Sequence, residues 1–364
     1  MIIGIPKEIK ESETRVAITP PGVSTLIREG HTVLVEKGAG LQSGFADRVY
    51  RDAGATILPQ AAKIWKLADM VVKVKEPLAS EYKFFKENLI LFTYLHLASV
   101  PPLARALCKK HVTALGYETV ETAGERLPLL IPMSEVAGRV ATQIGTRLLH
   151  RGHGNSKGIL LGGVTGTRKG VVTVVGGGIV GVNAAEVAVG LGAEVAILDI
   201  KEERLARLRE KFKDTAHVVN STPENIAAWV KKSDLLVGAV LVAGDKAPKI
   251  VTKKMLQTME SGSVIVDVAI DQGGCVETSH PTSHKHPIFI KYSVIHYCVP
   301  NMPALTPQTS TEALTTATLP YAKKLANMGV DGALNSDPAL ALGMQIRGGK
   351  VVHPVIAKLF KSLS

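Results

Sequence analysis

The sequence predicts an α/β protein with two doubly wound parallel-sheet domains and a cleft between them. Short apolar runs alternate with helical patterns in two successive blocks, and one run leads straight into a glycine-rich turn. At about 100–200 residues per domain, 364 residues accommodate two cores. Hydrophobic residues at 46% and charged residues at 21% suit a folded chain rather than a disordered one.

The first block opens with the apolar run Ile2 to Ile5, read as a strand. A helix is expected from Pro21 to Glu29, with proline near its start and Gly30 at its end, followed by a strand from Thr32 to Glu36. Met70 to Lys75, Leu89 to Tyr94 and Val112 to Tyr117 are further short strands rich in β-branched or aromatic residues. Val136, Val140, Ile144 and Leu148, spaced by four, then predict a connecting helix from about Ser134 to Leu149 with Ser134 as its cap. The second block has strands at Val171 to Val175, Glu194 to Leu198, Leu235 to Val240, Ser263 to Ala269 and Val294 to Val299. A final helix from about Ser310 is expected to kink at Pro320 and to pack back on the first block. The expected domains are therefore 1–130 with 306–364, and 131–305.

Composition narrows the functional classes. Lysine and arginine number 43 against 32 acidic residues, a net charge of +11, but the basic residues are mixed with acids and aromatics are only 4%, which argues against a nucleic-acid surface. The longest apolar stretch, Val171 to Ile200, is broken by Asn183, Glu186, Glu194 and Asp199, so no membrane span is expected. The segment Met1 to Pro6 shows no secretory pattern, and three cysteines (Cys108, Cys275, Cys298) without a Cys-x-x-Cys pair suit a reducing compartment. The expected location is the cytoplasm. His280, His284 and His286 beside Cys275 match no closed zinc pattern, and no metal is expected.

Gly176-Gly-Gly178-Ile-Val-Gly181 follows an apolar strand and opens a helical pattern, the context that a dinucleotide-binding fingerprint requires. Gly176 allows the tight turn, Gly178 admits a pyrophosphate to the backbone, and Gly181 lets the helix sit close to the sheet. The helix N-terminus at Ile179 and Val180 offers N–H groups to the anion, and Asp199, ending the next strand, accepts from ribose hydroxyls while repelling a 2′-phosphate. The second domain is thus a Rossmann domain, and the expected cofactor is NAD rather than NADP.

Three polar residues fall at corners of the first block. Arg15 follows the first strand, Lys75 ends Val71-Val-Lys-Val-Lys75, and His96 ends Leu91-Phe-Thr-Tyr-Leu-His96. Ligands of open parallel sheets bind beyond the carboxyl ends of the strands. There, Arg15 suits the two-donor grip of a carboxylate, Lys75 a fixed positive charge beside a developing oxyanion, and His96 proton transfer near neutral pH. Asp271, after a strand of the second block, is a further candidate acid or base. The chemistry expected is hydride transfer to or from a small polar substrate.

With these segments in view, the chain resembles the alanine dehydrogenase and transhydrogenase alpha-subunit family over nearly its whole length. The resemblance is carried by Gly4 to Lys10 with Arg15 to Pro20, Val72 to Pro77, Phe92 to Ala98, Pro128 to Ser134, Gly238 to Val242, Val266 to Gly274 and Asn301 to Pro303. It implies reversible NAD-dependent oxidative deamination of L-alanine to pyruvate and ammonia, with Arg15 and Lys75 binding substrate and His96 and Asp271 as the acid/base pair. It also implies cofactor contacts at Ser134, Ile179, Val180, Asp199, Arg204, Ser221, Val240, Leu241, Val268, Asn301 and Met302, and a homohexamer acting on small molecules. Thr165 and Ala243 stand where many members carry proline, and Arg204 where lysine is common. Two alternatives stay open: the NAD-binding subunit of a proton-translocating transhydrogenase, and a dehydrogenase for another small amino acid.

Overall fold

Six parallel strands form the heart of the first sheet: β1 (Ile2–Ile5), β2 (Thr32–Glu36), β3 (Thr56–Leu58), β4 (Met70–Val72), β5 (Ile90–Thr93) and β6 (Thr113–Gly116). The computed structural model describes residues 1–124, 126–240, 247–360 and 363. It divides into two units, Met1–Met133 with Thr306–Ser364, and Ser134–Leu305.

In the first unit the strand order is β3-β2-β1-β4-β5-β6, so the order reverses between β1 and β4. Strands such as Ile-Ile-Gly-Ile and Met-Val-Val are apolar throughout because a parallel sheet is covered on both faces. One face packs on a core of Trp65, Phe85, Leu91, Leu103, Leu107 and Ile346 among others. The C-terminal segment completes the sheet: Met344–Arg347 pairs antiparallel with β6, and Lys350–Val351 pairs with it in turn. The long helix Pro307–Ser336 is tied to the segment after β1, where Val16 and Thr19 donate backbone N–H bonds to the Thr311 and Thr315 hydroxyls.

The second unit repeats the plan with β7 (Val171–Val175), β8 (Glu194–Asp199), β9 (His217–Asn220), β10 (Leu235–Gly238), β11 (Val264–Asp267), β12 (Ile288–Lys291) and β13 (Val294–Tyr297). Its order, β9-β8-β7-β10-β11-β13, reverses between β7 and β10, with β12 added antiparallel at the far edge. This is the doubly wound order of dinucleotide-binding domains.

Two local expectations are corrected. The connecting helix runs Ile131–Leu149, so Ser134 lies in its first turn instead of capping it; Pro132 is tolerated there because the first N–H groups have no intrahelical partner. The C-terminal helix departs from helical geometry at Gly329 (φ 66°, ψ 178°), a conformation that suits glycine, with Pro320 nine residues earlier inside the helix.

Candidate functional site

The reversal point of the first sheet is a corner of buried, paired charges. Glu8, just after β1, accepts N–H bonds from Val74 (2.6 Å) and Lys75 (3.4 Å), and its other oxygen lies 3.1 Å from Lys73 Nζ. Lys73 is 1% exposed and also meets Glu81 at 3.2 Å. Burial alone would bring its ammonium down, but the two carboxylates outweigh burial and hold it above its ordinary value. The Glu8 carboxyl is displaced upward, because burial exceeds the pull of Lys73 and the Val74 N–H. Neither Lys73 nor its partners stood out in the sequence reading. The available signal was a lysine inside the apolar run Val71 to Val74, since a lysine on a doubly covered strand has to be paired.

Arg15 is 2% exposed and held side-on by Glu13, which accepts from Nε at 2.7 Å and Nη2 at 2.6 Å, while Nη1 lies 2.8 Å from the Met133 sulfur. The two-donor grip expected for a substrate carboxylate is thus made to Glu13 along this edge, which fixes the plane of the guanidinium. Lys75 is half-buried three residues past β4, and its carbonyl accepts from the Thr93 hydroxyl at 3.0 Å, tying it to the end of β5. Tyr94 donates to the Leu129 carbonyl at 2.6 Å and is buried, which pushes its hydroxyl up.

His96 is exposed, in the left-handed region (φ 48°, ψ 36°), a conformation costing a non-glycine residue about 1–2 kcal/mol unless neighbours hold it. Glu118 does so: its carboxylate accepts the N–H of Leu95 at 3.1 Å and of His96 at 2.8 Å, and Gln345 Nε2 donates to it at 3.0 Å. His96 Nδ1 stands 3.4 Å from Glu76 Oε2, an ion-pair contact longer than a well-formed hydrogen bond. Glu76 also pairs with Lys10. Burial would raise the Glu76 carboxyl, but the contacts with His96 and Lys10 bring it down to about 2.

The reversal point of the second sheet is built mainly from backbone. Gly176 has φ 103°, and a Cβ there would sit 2.6 Å from the Ala239 carbonyl oxygen; one on Gly181 would sit 1.8 Å from the Gly176 carbonyl oxygen. The helix Ile179–Gly190 therefore presses directly on the turn. Among the described residues a Cβ on Gly178 would meet nothing within 4 Å, and no side chain caps the helix. Its first N–H groups need partners, and an anion is well suited to supply them.

Asp199 ends β8, buried, and accepts from Gly177 N–H (2.8 Å), Lys201 N–H (2.9 Å) and Arg204 Nη1 (2.8 Å). Burial would raise its carboxyl, but Arg204 and the two N–H groups outweigh burial and hold it low. It stays an anion at the strand end, so these residues fit the pyrophosphate and ribose of a dinucleotide.

Other expected contacts are placed around this turn. Ser221 donates its N–H to the Asp199 carbonyl (3.0 Å), Val240 is half-buried just past β10, and Val268 and Asp271 lie on the single turn Val268–Gln272 after β11, Asp271 being exposed. Asn301 has φ 57° and Met302 is buried. Leu241, like Ala243, lies outside the described residues. Asp267, absent from the sequence reading, is fully buried and accepts the Val276 N–H at 3.1 Å, holding the loop that follows this turn.

Among the described residues no group of three or more His, Cys, Asp or Glu side chains is placed to hold a metal, and His280 stacks on Phe289 at 3.9 Å. No helix among them is long and apolar enough to cross a membrane.

Comparison with known proteins gives a consistent picture. The model of the family described as "Alanine dehydrogenase/PNT, N-terminal domain" matches residues 4–137, and that of the C-terminal domain matches residues 141–354. The chain is 54% identical over 359 residues to the alanine dehydrogenase of Bacillus subtilis, covering 98% of this chain and 94% of that protein. It is 52% identical to the alanine dehydrogenase of Staphylococcus haemolyticus, covering 99% and 96%. Among solved structures, an L-alanine dehydrogenase superposes with a TM-score of 0.97 at 49% identity over both full chains. A transhydrogenase from Sinorhizobium meliloti shares the fold, with a TM-score of 0.84 at 23% identity, covering 98% of this chain and 100% of that one.

Proposed function

The chain belongs to the alanine dehydrogenase/PNT family, and on that footing we propose that it catalyses the reversible oxidative deamination of L-alanine. The reaction takes L-alanine, NAD and water to pyruvate, ammonium, NADH and a proton. The observation that carries this reading is the 52–54% identity, over nearly the whole chain, to proteins named alanine dehydrogenase.

When bound, NAD supplies the hydride acceptor, held by the Gly176–Gly181 turn, the N–H groups of Ile179 and Val180, and the Asp199 carboxylate beside Arg204. The resemblance adds Ser134, Ser221, Val240, Leu241, Val268, Asn301 and Met302 to that set. Arg15, its plane fixed by Glu13, recognises the substrate carboxylate. Lys75 provides the positive charge that favours electron density on the carbonyl oxygen as water adds and ammonia leaves. His96 takes and returns the protons of these steps, with Asp271 as the second proton-handling group. The family likeness further supports a homohexamer acting in the cytoplasm, with L-alanine, pyruvate and ammonia as its small-molecule partners.

The test is NADH formation by the purified protein with L-alanine, beside D-alanine, L-lysine and NADP controls, in wild type and His96→Ala. Turnover with L-alanine and NAD alone, reduced roughly a hundredfold or more in the variant while NADH still binds, is the expected result. Silence with L-alanine, in a protein that binds NADH and oxidises another amino acid, would overturn the substrate. A variant with wild-type turnover would remove His96 from the reaction.

A further inference from the structure

We propose that Glu76 is the positioning residue of His96, and that Lys10, on the far oxygen of the same carboxylate, sets how strongly Glu76 holds the imidazole. The inference rests on the reading of His96 as the proton-handling group. Its basis is a three-membered line of side chains around one anion: Lys10 Nζ to Glu76 Oε1, and Glu76 Oε2 to His96 Nδ1 at 3.4 Å. The middle member is buried at 6% exposed, whereas the outer two are 40% and 42% exposed.

The chain geometry fits this role. Pro77 biases Glu76 toward extended backbone, so the carboxylate leaves the strand end in a restricted direction. Independently, Glu118 pins the backbone N–H groups of Leu95 and His96. With backbone held by one carboxylate and Nδ1 faced by another, the tautomer with a proton on Nδ1 is favoured and Nε2 is the nitrogen left to exchange protons with substrate. An imidazolium formed during turnover is stabilised by the adjacent anion, the logic by which a buried carboxylate serves a catalytic histidine elsewhere.

Tyr82 lies near Glu76, its hydroxyl raised by burial and then by that charge; Glu81 pairs with Lys73; Glu118 meets the His96 backbone; the Tyr94 ring is 5.9 Å from the imidazole. Lys75 is the chain neighbour of Glu76. Only Glu76 meets the ring nitrogen in this set, and Lys10 competes with His96 for its charge.

The experiment is the pH profile of kcat/KM for alanine oxidation in wild type, Glu76→Gln, Lys10→Met and His96→Ala. In this direction the imidazole acts as a base, so activity rises with pH. Removing the Glu76 charge withdraws support from the imidazolium, and the rising limb moves to lower pH by about one unit, with kcat reduced roughly ten- to a hundredfold. Removing Lys10 frees the carboxylate for His96, and the limb moves the other way, to higher pH. A merely structural role for either residue would not displace one limb in two directions. If Glu76→Gln folds, judged by an unchanged unfolding midpoint, and leaves the limb in place, the proposal is overturned. If it does not fold, Lys10→Met at its exposed position decides, and a stationary limb there overturns the proposal equally. A limb that persists in His96→Ala would remove the underlying reading of His96, and the proposal with it.

Discussion

The two units reverse their strand order at equivalent places, between β1 and β4 in one and between β7 and β10 in the other, yet fill those corners with opposite materials. The first corner holds Glu8, Glu13, Arg15, Lys73, Glu76 and Glu81, every one of them at most 8% exposed. The second holds glycines, helix N–H groups and, at the end of β8, the carboxylate of Asp199. On the function proposed above, the difference teaches how one topology serves two tasks. Handling a small, charged, reacting molecule needs groups fixed in place, so each charge is locked by another. Binding a long anionic cofactor needs access to backbone, so side chains are withheld.

The comparison is broken most severely by unpairing a charge in the first corner. Lys73→Met leaves Glu8 and Glu81 buried without their cation, and removing one member of a buried ionic group costs about 3–5 kcal/mol. The expected outcome is a matching fall in the denaturant-unfolding free energy of the variant. Adding Glu8→Gln and Glu81→Gln recovers most of it, because Gln at position 8 still accepts the Val74 N–H. A Lys73→Met protein as stable as wild type would show that the corner tolerates loose charge and that the contrast is one of composition only.

The same contrast explains what could be read in advance. Gly176, Gly178, Gly181 and Asp199 were legible because withheld side chains at fixed spacing, followed by an acid one strand later, form a local pattern. Lys75 and His96 are legible as polar residues near strand ends and Arg15 as a basic residue after the first strand, but their partners are not. Glu118 and Gln345 stand 227 positions apart and meet only because the C-terminal strand pairs with β6. Central strands were found from their apolar runs. The edges β3, β9 and β12 and the strand Lys350–Val351 escape that reading, being two to four residues long and mostly partly exposed, whereas the inner, mainly buried Met344–Arg347 escapes it because Gln345 and Arg347 break its apolar run. Edge strands lack the double burial that writes an apolar run into sequence.

A pair of glycine substitutions sharpens the second corner. Gly178→Ala places a methyl where, among the described residues and apart from its chain neighbours, no atom lies within 4 Å, so the unfolding midpoint is expected to hold. If that space belongs to the pyrophosphate, NADH titration will show affinity weakened roughly tenfold or more. Gly181→Ala puts its methyl 1.8 Å from the Gly176 carbonyl oxygen, so both stability and affinity fall. Equal affinity in Gly178→Ala and wild type would mean that the cofactor does not approach this backbone.

Arg204 gives the smallest effect and the finest discrimination. Its ion pair with Asp199 is a place where the second corner imitates the first, but the guanidinium is 40% exposed, and such pairs contribute about 0–1 kcal/mol. The N–H groups of Gly177 and Lys201 hold the same carboxylate without it. Arg204→Met is therefore expected to shift stability by less than about 1 kcal/mol and to weaken NADH by a few-fold at most, with added salt narrowing the gap to wild type. A loss as large as that of Gly178→Ala would place the second corner under the control of charge, and backbone would no longer be what separates it from the first.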